Sequence, residues 1–263
     1  MALAATLYRE HAPHPALRAH VRVLWELSGP CDDPSPQKLF PDGAMSLWIN
    51  FGGVISGGQQ HVTTGGAALL GEIRRPIEVA STGALDIVGV SFWPGSARVF
   101  LDAQLPELVN RLVADPPVTI ELSGVISAEP QDRIPRLQQA LLEAVQPKRA
   151  PSDRVLQAFS LLGQHDIAGL ADSMGLSTRQ LERRFVDELG ASPKQLASLL
   201  RFRRALAAMQ RPKPDFAAIA LECGYADQAH LVRDFTKYTG APPKRFVTTE
   251  APKTRAEWLT GPS

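Results

Sequence analysis

Two arginines in a short basic segment have the type and spacing to bind nucleic-acid bases. They lie in SMGLSTRQLERRF (Ser173–Phe185), where Arg179 and Arg183 are four residues apart. Side chains at this spacing share one face of a helix, and an arginine can bind the O6 and N7 atoms of guanine together. The segment predicts a helix face that contacts bases in the major groove, and a solvated surface helix is the alternative.

The residues around this pair predict how the helix is placed. Gly175 fits a tight turn between two helices, and Ser177 with Gln180 three residues later predicts a capping box. At about 100° per residue, Leu181 and Phe185 form the buried stripe, so the arginines project away from it. Gln180 flanks the arginine face, where it could bind adenine.

The same pattern occurs twice in the chain. DIAGLADSMGL (Asp166–Leu176) aligns with DFAAIALECGY (Asp215–Tyr225) at an offset of 49 residues. STRQLERRFVDELGASPKQL (Ser177–Leu196) aligns with DQAHLVRDFTKYTGAPPKRF (Asp227–Phe246) at an offset of 50, because Ala226 is an extra residue in the second turn. Two matched copies predict two helix-turn-helix units. In the second copy Arg233 takes the place of Arg183. Nearer the helix start lie three further candidates for base contacts, Gln228, Ala229 and His230.

A long helix is expected between the two copies. Ser192, Pro193 and Gln195 form a typical capped helix start, and an apolar pattern continues to Gln210. A helix from Pro193 to Gln210 would span about 27 Å, and successive major grooves lie roughly 34 Å apart. Such a rod could hold two recognition helices near that spacing. It also carries three arginines that could contact phosphates or pack: Arg201, Arg203 and Arg204.

The charge of the chain is divided between its two halves. The formal net charge is +1, but residues 1–150 hold 12 Lys and Arg against 15 Asp and Glu, and residues 151–263 hold 16 against 12. Within Ser177–Lys213 the count is 9 basic to 3 acidic. A polyanion partner is therefore expected for the C-terminal half alone.

Roughly the first 125 residues predict a β-rich domain. Four short apolar runs are separated by turn-forming residues, as in a sandwich or barrel. The runs are Val21–Leu27, Met45–Phe51, Pro76–Ala80 and Asp86–Trp93. Four aromatic residues could line an effector cavity, or could equally pack an ordinary core: Trp25, Trp48, Phe92 and Trp93.

Two amphipathic helices are predicted after these strands. In Leu105–Val113 one face would hold Leu105, Leu108, Val109 and Leu112. In Asp132–Val145 one face would hold Ile134, Leu137, Leu141, Leu142 and Val145. The second face, with Ile134, Leu137, Leu141 and Leu142, could form a homodimer contact or pack on its own domain.

These signals predict an α+β multidomain protein. A β-rich, barrel-like domain with trailing helices would occupy residues 1–146, and a proline-containing linker residues 147–153. An all-α domain with two helix-turn-helix units joined by a long helix would occupy residues 154–250, followed by a tail, 251–263.

The C-terminal pattern resembles the DNA-binding domain of the AraC/XylS family of bacterial transcription regulators. The resemblance covers about 80 residues, Asp166–Phe246, and rests on the Gly175 and Gly224 turns, LERRF and LVRDF, Gly190–Lys194 and Glu222–Gln228. It implies base contacts from Arg179, Glu182, Arg183, Gln228, Ala229 and Arg233. Glu182 could accept from cytosine, and Ala229 offers only a methyl-sized contact. Phosphate contacts are expected from Ser177, Lys194 and Lys244.

The N-terminal half is similar to the small β-rich domain at the front of many AraC-like regulators. The similarity lies in Leu39–Gly53 and Gly89–Leu101. It implies a domain that senses a small molecule, dimerises, or does both. The partners implied are double-stranded DNA, RNA polymerase, a second copy of the chain and an unidentified effector.

Catalytic, metal and membrane signals are missing from the sequence. It holds no P-loop, G-x-G-x-x-G or H-E-x-x-H motif. Cys31 and Cys223 cannot build a four-cysteine zinc site, and His11, His14 and His20 are irregularly spaced. No apolar run approaches membrane-spanning length. We therefore expect a cytoplasmic protein that is not an enzyme and has no cofactor or metal.

The function expected from the sequence is sequence-specific DNA binding that regulates transcription in response to a small molecule. The alternative is a DNA-binding regulator whose N-terminal domain only dimerises or binds a protein partner.

Overall fold

The computed structural model describes residues 7–31, 35–163 and 165–246 in two compact units. The β-rich unit holds the described residues up to Leu39 together with Ala44–Ile73 and Ile77–Pro151. The helical unit holds Phe40–Gly43, Arg74–Pro76 and the described residues from Ser152 onward. The predicted tail, 251–263, and the last four residues of the predicted helical domain lie outside the described residues.

Within the described residues of the β-rich unit, ten strands form two antiparallel sheets. They are β1 (Leu7–His11), β2 (Val21–Gly29), β3 (Gln37–Leu39), β4 (Met45–Asn50), β5 (Ile55–Gly57), β6 (Gln60–Val62), β7 (Ala67–Leu70), β8 (Ile77–Ser81), β9 (Leu85–Phe92) and β10 (Leu112–Ala114). The strand order is β1-β2-β9-β4-β7-β10 in the larger sheet and β3-β8-β5-β6 in the smaller. The predicted β-rich domain and its four strands are confirmed, and the strands form two sheets rather than one closed barrel.

One face of the larger sheet packs on the unit's principal core. Side chains alternate across a strand, so Leu24, Leu47 and Val90 of neighbouring strands lie on the same face, and each is fully buried. Helix α1 (Ser123–Ile126) and helix α2 (Arg133–Ala144) add Val125, Leu137 and other side chains to this core.

The helix predicted over Leu105–Val113 is wrong. Only a single 3-10 turn forms, at Leu105–Leu108. Asn110 then adopts a left-handed conformation with φ of +56°, which a continuing helix does not allow. Leu112 pairs with Leu70 of β7, so the segment ends as strand β10 because pairing with a distant strand outweighs a weak local pattern.

The apolar face of α2 lies in the unit's own core. Leu137 and Leu141 are fully buried and Ile134 nearly so, whereas Leu142 is half-buried. The sequence left two alternatives for these residues, a homodimer contact and packing on their own domain. The burial of three of the four within one chain favours packing on their own domain, and assembly into a homodimer stays a prediction.

The described residues of the helical unit form seven helices. They are α3 (Asp153–Ser160), α4 (Ile167–Ser173), α5 (Thr178–Leu189), α6 (Pro193–Ala208), α7 (Phe216–Glu222), α8 (Gln228–Thr239) and α9 (Pro243–Arg245). Helices α4 and α5 form the first helix-turn-helix unit, and α7 and α8 the second. The predicted all-helical half with two such units is confirmed. Ahead of it, residues predicted as linker include a 3-10 turn at Pro147–Arg149.

Helix α6 contributes to the cores of both copies. Leu196 packs with Leu181 and Phe185 of the first copy. Leu199, Phe202 and Leu206 pack with Leu231 and Phe235 of the second. The helix has 16 residues and is about 24 Å long, slightly shorter than predicted.

Candidate nucleic-acid interface

The two helix-turn-helix turns have matching backbone geometry. Gly175 and Gly224 both adopt left-handed conformations, with φ of +63° and +81°, a region in which glycine has no steric penalty. The amide that follows each glycine donates back to the first helix, from Leu176 to Ala171 at 2.9 Å and from Tyr225 to Ala220 at 2.8 Å. This 6→1 bond satisfies a free helix carbonyl and fixes where the next helix begins.

Helix α5 begins at the predicted capping box. The Ser177 hydroxyl accepts a hydrogen bond from the backbone N–H of Gln180 at 3.3 Å. In return, the side-chain oxygen of Gln180, Oε1, accepts from the backbone N–H of Ser177 at 2.9 Å and from the Ser177 hydroxyl at 3.0 Å. A glutamine recognises adenine through two hydrogen bonds, which use both the oxygen and the NH2 group of the glutamine side chain. Because the oxygen holds the cap, Gln180 has only its NH2 group for a base, and Ser177 is occupied by the same cap.

Two of the arginines of α5, Arg179 and Arg183, are exposed on the side opposite its core residues. Leu181 and Phe185 are almost fully buried, while Arg179, Glu182 and Arg183 are exposed. In the described part of the chain, neither arginine forms a salt bridge or side-chain hydrogen bond. They border a shallow depression lined by Ser177, Arg179, Gln180, Glu182, Arg183, Val186, Asp187 and Ser192. Two guanidinium groups are thus available to a ligand on one helix face.

Helix α8 presents a smaller set of exposed groups. Gln228, Ala229 and Arg233 are exposed, and Asp227 caps the helix by accepting from the His230 amide at 2.6 Å. The His230 ring packs edge-on against Tyr225, with ring centroids 5.2 Å apart. His230 therefore packs against the turn, and of the predicted base-contacting residues on α8 it is the one that is not fully exposed.

The predicted phosphate-contacting lysines lie in first turns of helices. Lys194 is exposed at the second position of α6, and Lys244 is exposed in α9. The α6 start is a second capping box, in which Ser192 accepts from the Gln195 amide at 3.3 Å. Free backbone N–H groups and the helix dipole favour an anion at such a start, which suits Lys194 as a phosphate contact.

A buried polar cluster joins α6 to the second recognition helix, and sequence reasoning missed it. The Ser198 hydroxyl lies 2.9 and 3.1 Å from the two Asp234 carboxylate oxygens and 2.9 Å from the Tyr238 hydroxyl. One available signal was that Asp234 aligns with Arg184 of the first copy, a reversal of charge. The other was a serine within the apolar run of α6.

Ionisable groups around the second turn shift in directions set by their surroundings. Two hydrogen bonds from Arg211, at 2.6 and 2.7 Å, lower the pKa of the exposed Glu222 carboxyl. Burial raises the pKa of the Cys223 thiol and of the Tyr225 hydroxyl. Cys223 is thus a buried thiol of the core.

The four aromatic residues predicted for an effector cavity do not form one cluster. The Trp25 and Trp48 rings meet edge to face, with centroids 6.1 Å apart, and Trp25 Nε1 donates to Ser91 at 3.1 Å. Phe92 points to the opposite sheet face and packs on Phe100, because neighbouring residues of a strand alternate. Trp93 is 39% exposed. Of the four, Trp25 and Trp48 contact each other, and the effector cavity stays a prediction.

The described residues contain no group of three or more His, Cys, Asp and Glu side chains placed to hold a metal ion. Among those same residues, every helix falls short of the length and apolarity needed to cross a membrane.

Two protein families match the chain. Residues 170–249 match a family described as a helix-turn-helix domain. Residues 9–114 match a family described as a domain of unknown function, DUF6597. The first match covers α5 to α9 and most of α4, and the second covers all ten strands except the start of β1.

A bacterial relative matches part of the chain. An uncharacterized HTH-type transcriptional regulator of Haemophilus influenzae is 30% identical over 112 residues, which are 42% of this chain and 37% of that relative. The chain thus matches little more than a third of that relative's length.

Two solved structures are similar to this chain, both with TM-scores below 0.5. An AraC-type transcriptional regulator from Chromobacterium violaceum is 26% identical, with a TM-score of 0.35 over 38% of this chain and 94% of that one. ToxT from Vibrio cholerae is 10% identical, with a TM-score of 0.48 over 86% of this chain and 97% of that one.

The family match over residues 170–249 spans the two units that repeat each other in sequence, in turn geometry and in their attachment to α6. On these grounds residues 170–249 form a helix-turn-helix domain with two such units.

Proposed function

We propose that this chain is a sequence-specific DNA-binding regulator of transcription. The observation that carries the proposal is the pair of matched helices, α5 and α8, that present exposed arginines from equivalent positions, Arg183 and Arg233. Both helices pack on α6, so the distance between them is set by a rigid element. An α6 of about 24 Å supports contact with two major-groove segments about one turn of DNA apart.

Each copy has its own role in this proposal. In the first copy, Arg179, Glu182 and Arg183 contact bases, and in the second Gln228, Ala229 and Arg233 do so. Lys194 and Lys244 contact phosphates. Gln180 and Ser177 mainly hold the start of α5, and His230 mainly supports the turn. We assign DNA binding to residues 154–250, with residues 147–153 as the linker.

Selection of bound sequences from random DNA tests the proposal. We expect enrichment of two short motifs whose centres are about 10 base pairs apart, one for each recognition helix. The double variant Arg179→Ala/Arg183→Ala should lose the first motif and keep the second. Arg136→Ala, which removes an exposed arginine of α2, is the matched control for lost charge. Absence of any enriched sequence would overturn the proposal.

We propose further that the β-rich unit, residues 1–146, binds a small-molecule effector beside Trp25 and Trp48. Support comes from the buried Trp48 Nε1, which has no hydrogen-bond partner among the described residues, and from the nearby Ser46 and Ser91 hydroxyls, 2.9 Å apart. An unpartnered buried donor is unfavourable unless something accepts from it. The alternative is a unit that only dimerises or binds a protein partner.

A thermal-shift screen with neutral aromatic compounds distinguishes a unit that binds a small-molecule effector from one that only dimerises or binds a protein partner. A compound at 100 times its dissociation constant stabilises the protein that it binds by about 2.7 kcal/mol. Trp48→Phe keeps an aromatic side chain but removes the indole N–H donor, so it should reduce the shift. Contact with RNA polymerase and assembly into a homodimer stay predictions, and the buried face of α2 is not proposed as their surface.

A further inference from the structure

One apolar side chain is exposed on a proposed recognition helix. Val186 lies in the third turn of α5 and is 44% exposed. The other large apolar side chains exposed in the described part of the chain lie elsewhere, namely Leu7, Trp93, Ile126 and Leu221. A single exposed apolar residue is ordinary on a protein surface. The significance of Val186 therefore lies in its position on the helix.

Val186 continues the arginine face of α5. Residues Arg179, Arg183 and Val186 are spaced i, i+4 and i+7, which places them in one stripe along the helix. All three line the same shallow depression. Val186 lies about 4.5 Å along the helix axis from Arg183, a distance close to the roughly 3.4 Å step between stacked bases.

Helix stability does not account for a valine at this position. A β-branched residue is a poorer helix former than the long polar residues that usually fill exposed positions. The second copy places Thr236 at the equivalent position, and its hydroxyl donates to the Val232 carbonyl at 2.7 Å. Both copies therefore have a β-branched side chain there, and neither has a free hydrogen-bond donor.

The major groove contains one exposed apolar group to match such a side chain. This group is the C5-methyl of thymine, which proteins recognise by apolar contact. We propose that Val186 is a specificity-determining residue that recognises a thymine methyl, one base step from the base bound by Arg183. The inference rests on the proposed DNA-binding function. It assigns one further base to the first half-site, the part of the operator bound by α5, beyond the bases contacted by the arginines.

Replacing thymine with deoxyuridine tests this contact, because the exchange removes only the methyl group. Each thymine of the selected operator is replaced in turn, and binding by the full chain is measured by fluorescence anisotropy at fixed salt. For the wild-type protein we expect one replacement in the first half-site to weaken binding about fourfold, the effect of losing one buried methyl group. Val186→Ala removes two methyl groups from the contact, so its preference for the thymine operator over the deoxyuridine operator should be clearly smaller than that of the wild-type protein.

Leu221→Ala is the matched control. Leu221 is also an exposed aliphatic residue, at 71% exposure, but it lies on α7 rather than on a recognition helix. This variant should keep the wild-type preference for thymine. Circular dichroism should show that both variants stay folded, since each side chain is exposed.

The outcomes separate this inference from the function on which it rests. If Val186→Ala keeps the full preference for thymine, or if the wild-type protein ignores every replacement, the Val186 contact is wrong while DNA binding stands. If no operator is selected from random DNA, the proposed function falls and the inference falls with it.

Discussion

Arg183 and Arg233 hold the same position in two copies of one unit, with different neighbours. Arg183 is preceded one turn earlier by Arg179, whereas Arg233 is preceded by Ala229. A guanidinium can distinguish guanine by two hydrogen bonds, but an alanine offers only a methyl contact. We therefore expect α5 to contribute more discrimination between sequences than α8.

Arg183→Ala and Arg233→Ala should each weaken binding to the selected operator by about 1–3 kcal/mol and relax the requirement at one base pair. The reason is the loss of a bidentate contact to a base edge. Anisotropy titrations on the operator and on all single-base changes at that pair measure both effects.

Lys194→Ala is the comparison for these two variants. It should weaken binding to every sequence alike and lower the slope of log affinity against log salt by about 1. Arginine variants that keep the wild-type base preference would show that α5 and α8 are not recognition helices.

The parts of this site that could be predicted from sequence depend on short-range contacts. The caps at Ser177 and Ser192 join residues three apart, and helical periodicity alone places Arg179 and Arg183 outside the core. The contact between Ser198 and Asp234 joins residues 36 apart, so no local pattern contains it. The packing of His230 on Tyr225 likewise depends on how the turn folds back.

Secondary-structure elements differ in how strongly their own sequence determines them. Helix α2 was predicted nearly to its ends, because its apolar spacing extends over three turns. The segment Leu105–Val113 has similar spacing over a shorter length, yet it ends in β10 because its partner β7 precedes it by more than 30 residues. Whether such a segment forms a strand depends on the distant strand that it pairs with, and its own sequence does not contain that information.

Leu137→Ala in α2 should lower the free energy of unfolding by about 2–5 kcal/mol, since the side chain is fully buried and its removal leaves a cavity. Leu142→Ala, at a half-buried position of the same helix, should have a clearly smaller effect. Urea unfolding measures stability, and sedimentation measures the oligomeric state. A Leu137→Ala protein of unchanged stability that sediments as a smaller species would return this face to a subunit contact.

The polar cluster between α6 and α8 gives a second test at this scale. Ser198→Ala should lower the free energy of unfolding by about 1–3 kcal/mol, because the buried Tyr238 and the Asp234 carboxylate lose a shared partner. Ser173→Ala, at an exposed serine that bonds only to its own helix, should change stability little. Equal effects of the two substitutions in urea unfolding would argue against the cluster.

In the whole molecule, sequence order and structural units do not coincide. The helical unit includes Phe40–Gly43 and Arg74–Pro76, which lie among the strand segments in sequence. Phe40 is 6% exposed and meets Phe246 with ring centroids 5.2 Å apart. Arg74 Nη2 donates to the Gly190 carbonyl at the end of α5, at 2.6 Å. A division at one linker therefore describes the chain incompletely.

Phe40→Ala should destabilise the helical unit by about 3–5 kcal/mol, the usual effect of removing a buried phenylalanine. Far-ultraviolet circular dichroism during urea unfolding follows the helices. Leu7→Ala, at an exposed strand position, is the control. Should the helices of the Phe40→Ala protein unfold at the wild-type urea concentration, Phe40 would not belong to this core.

Helix α6 also constrains how this chain can diverge. A duplicated unit can normally be lost again by deletion, but here each copy completes its core with side chains of the same helix. Deleting either copy would expose apolar side chains of α6 to water, so truncated descendants would tend to unfold. Divergence is thereby directed to exposed positions such as Arg179 and Ala229, where, under the proposed function, one substitution would alter the preferred operator and leave the protein folded.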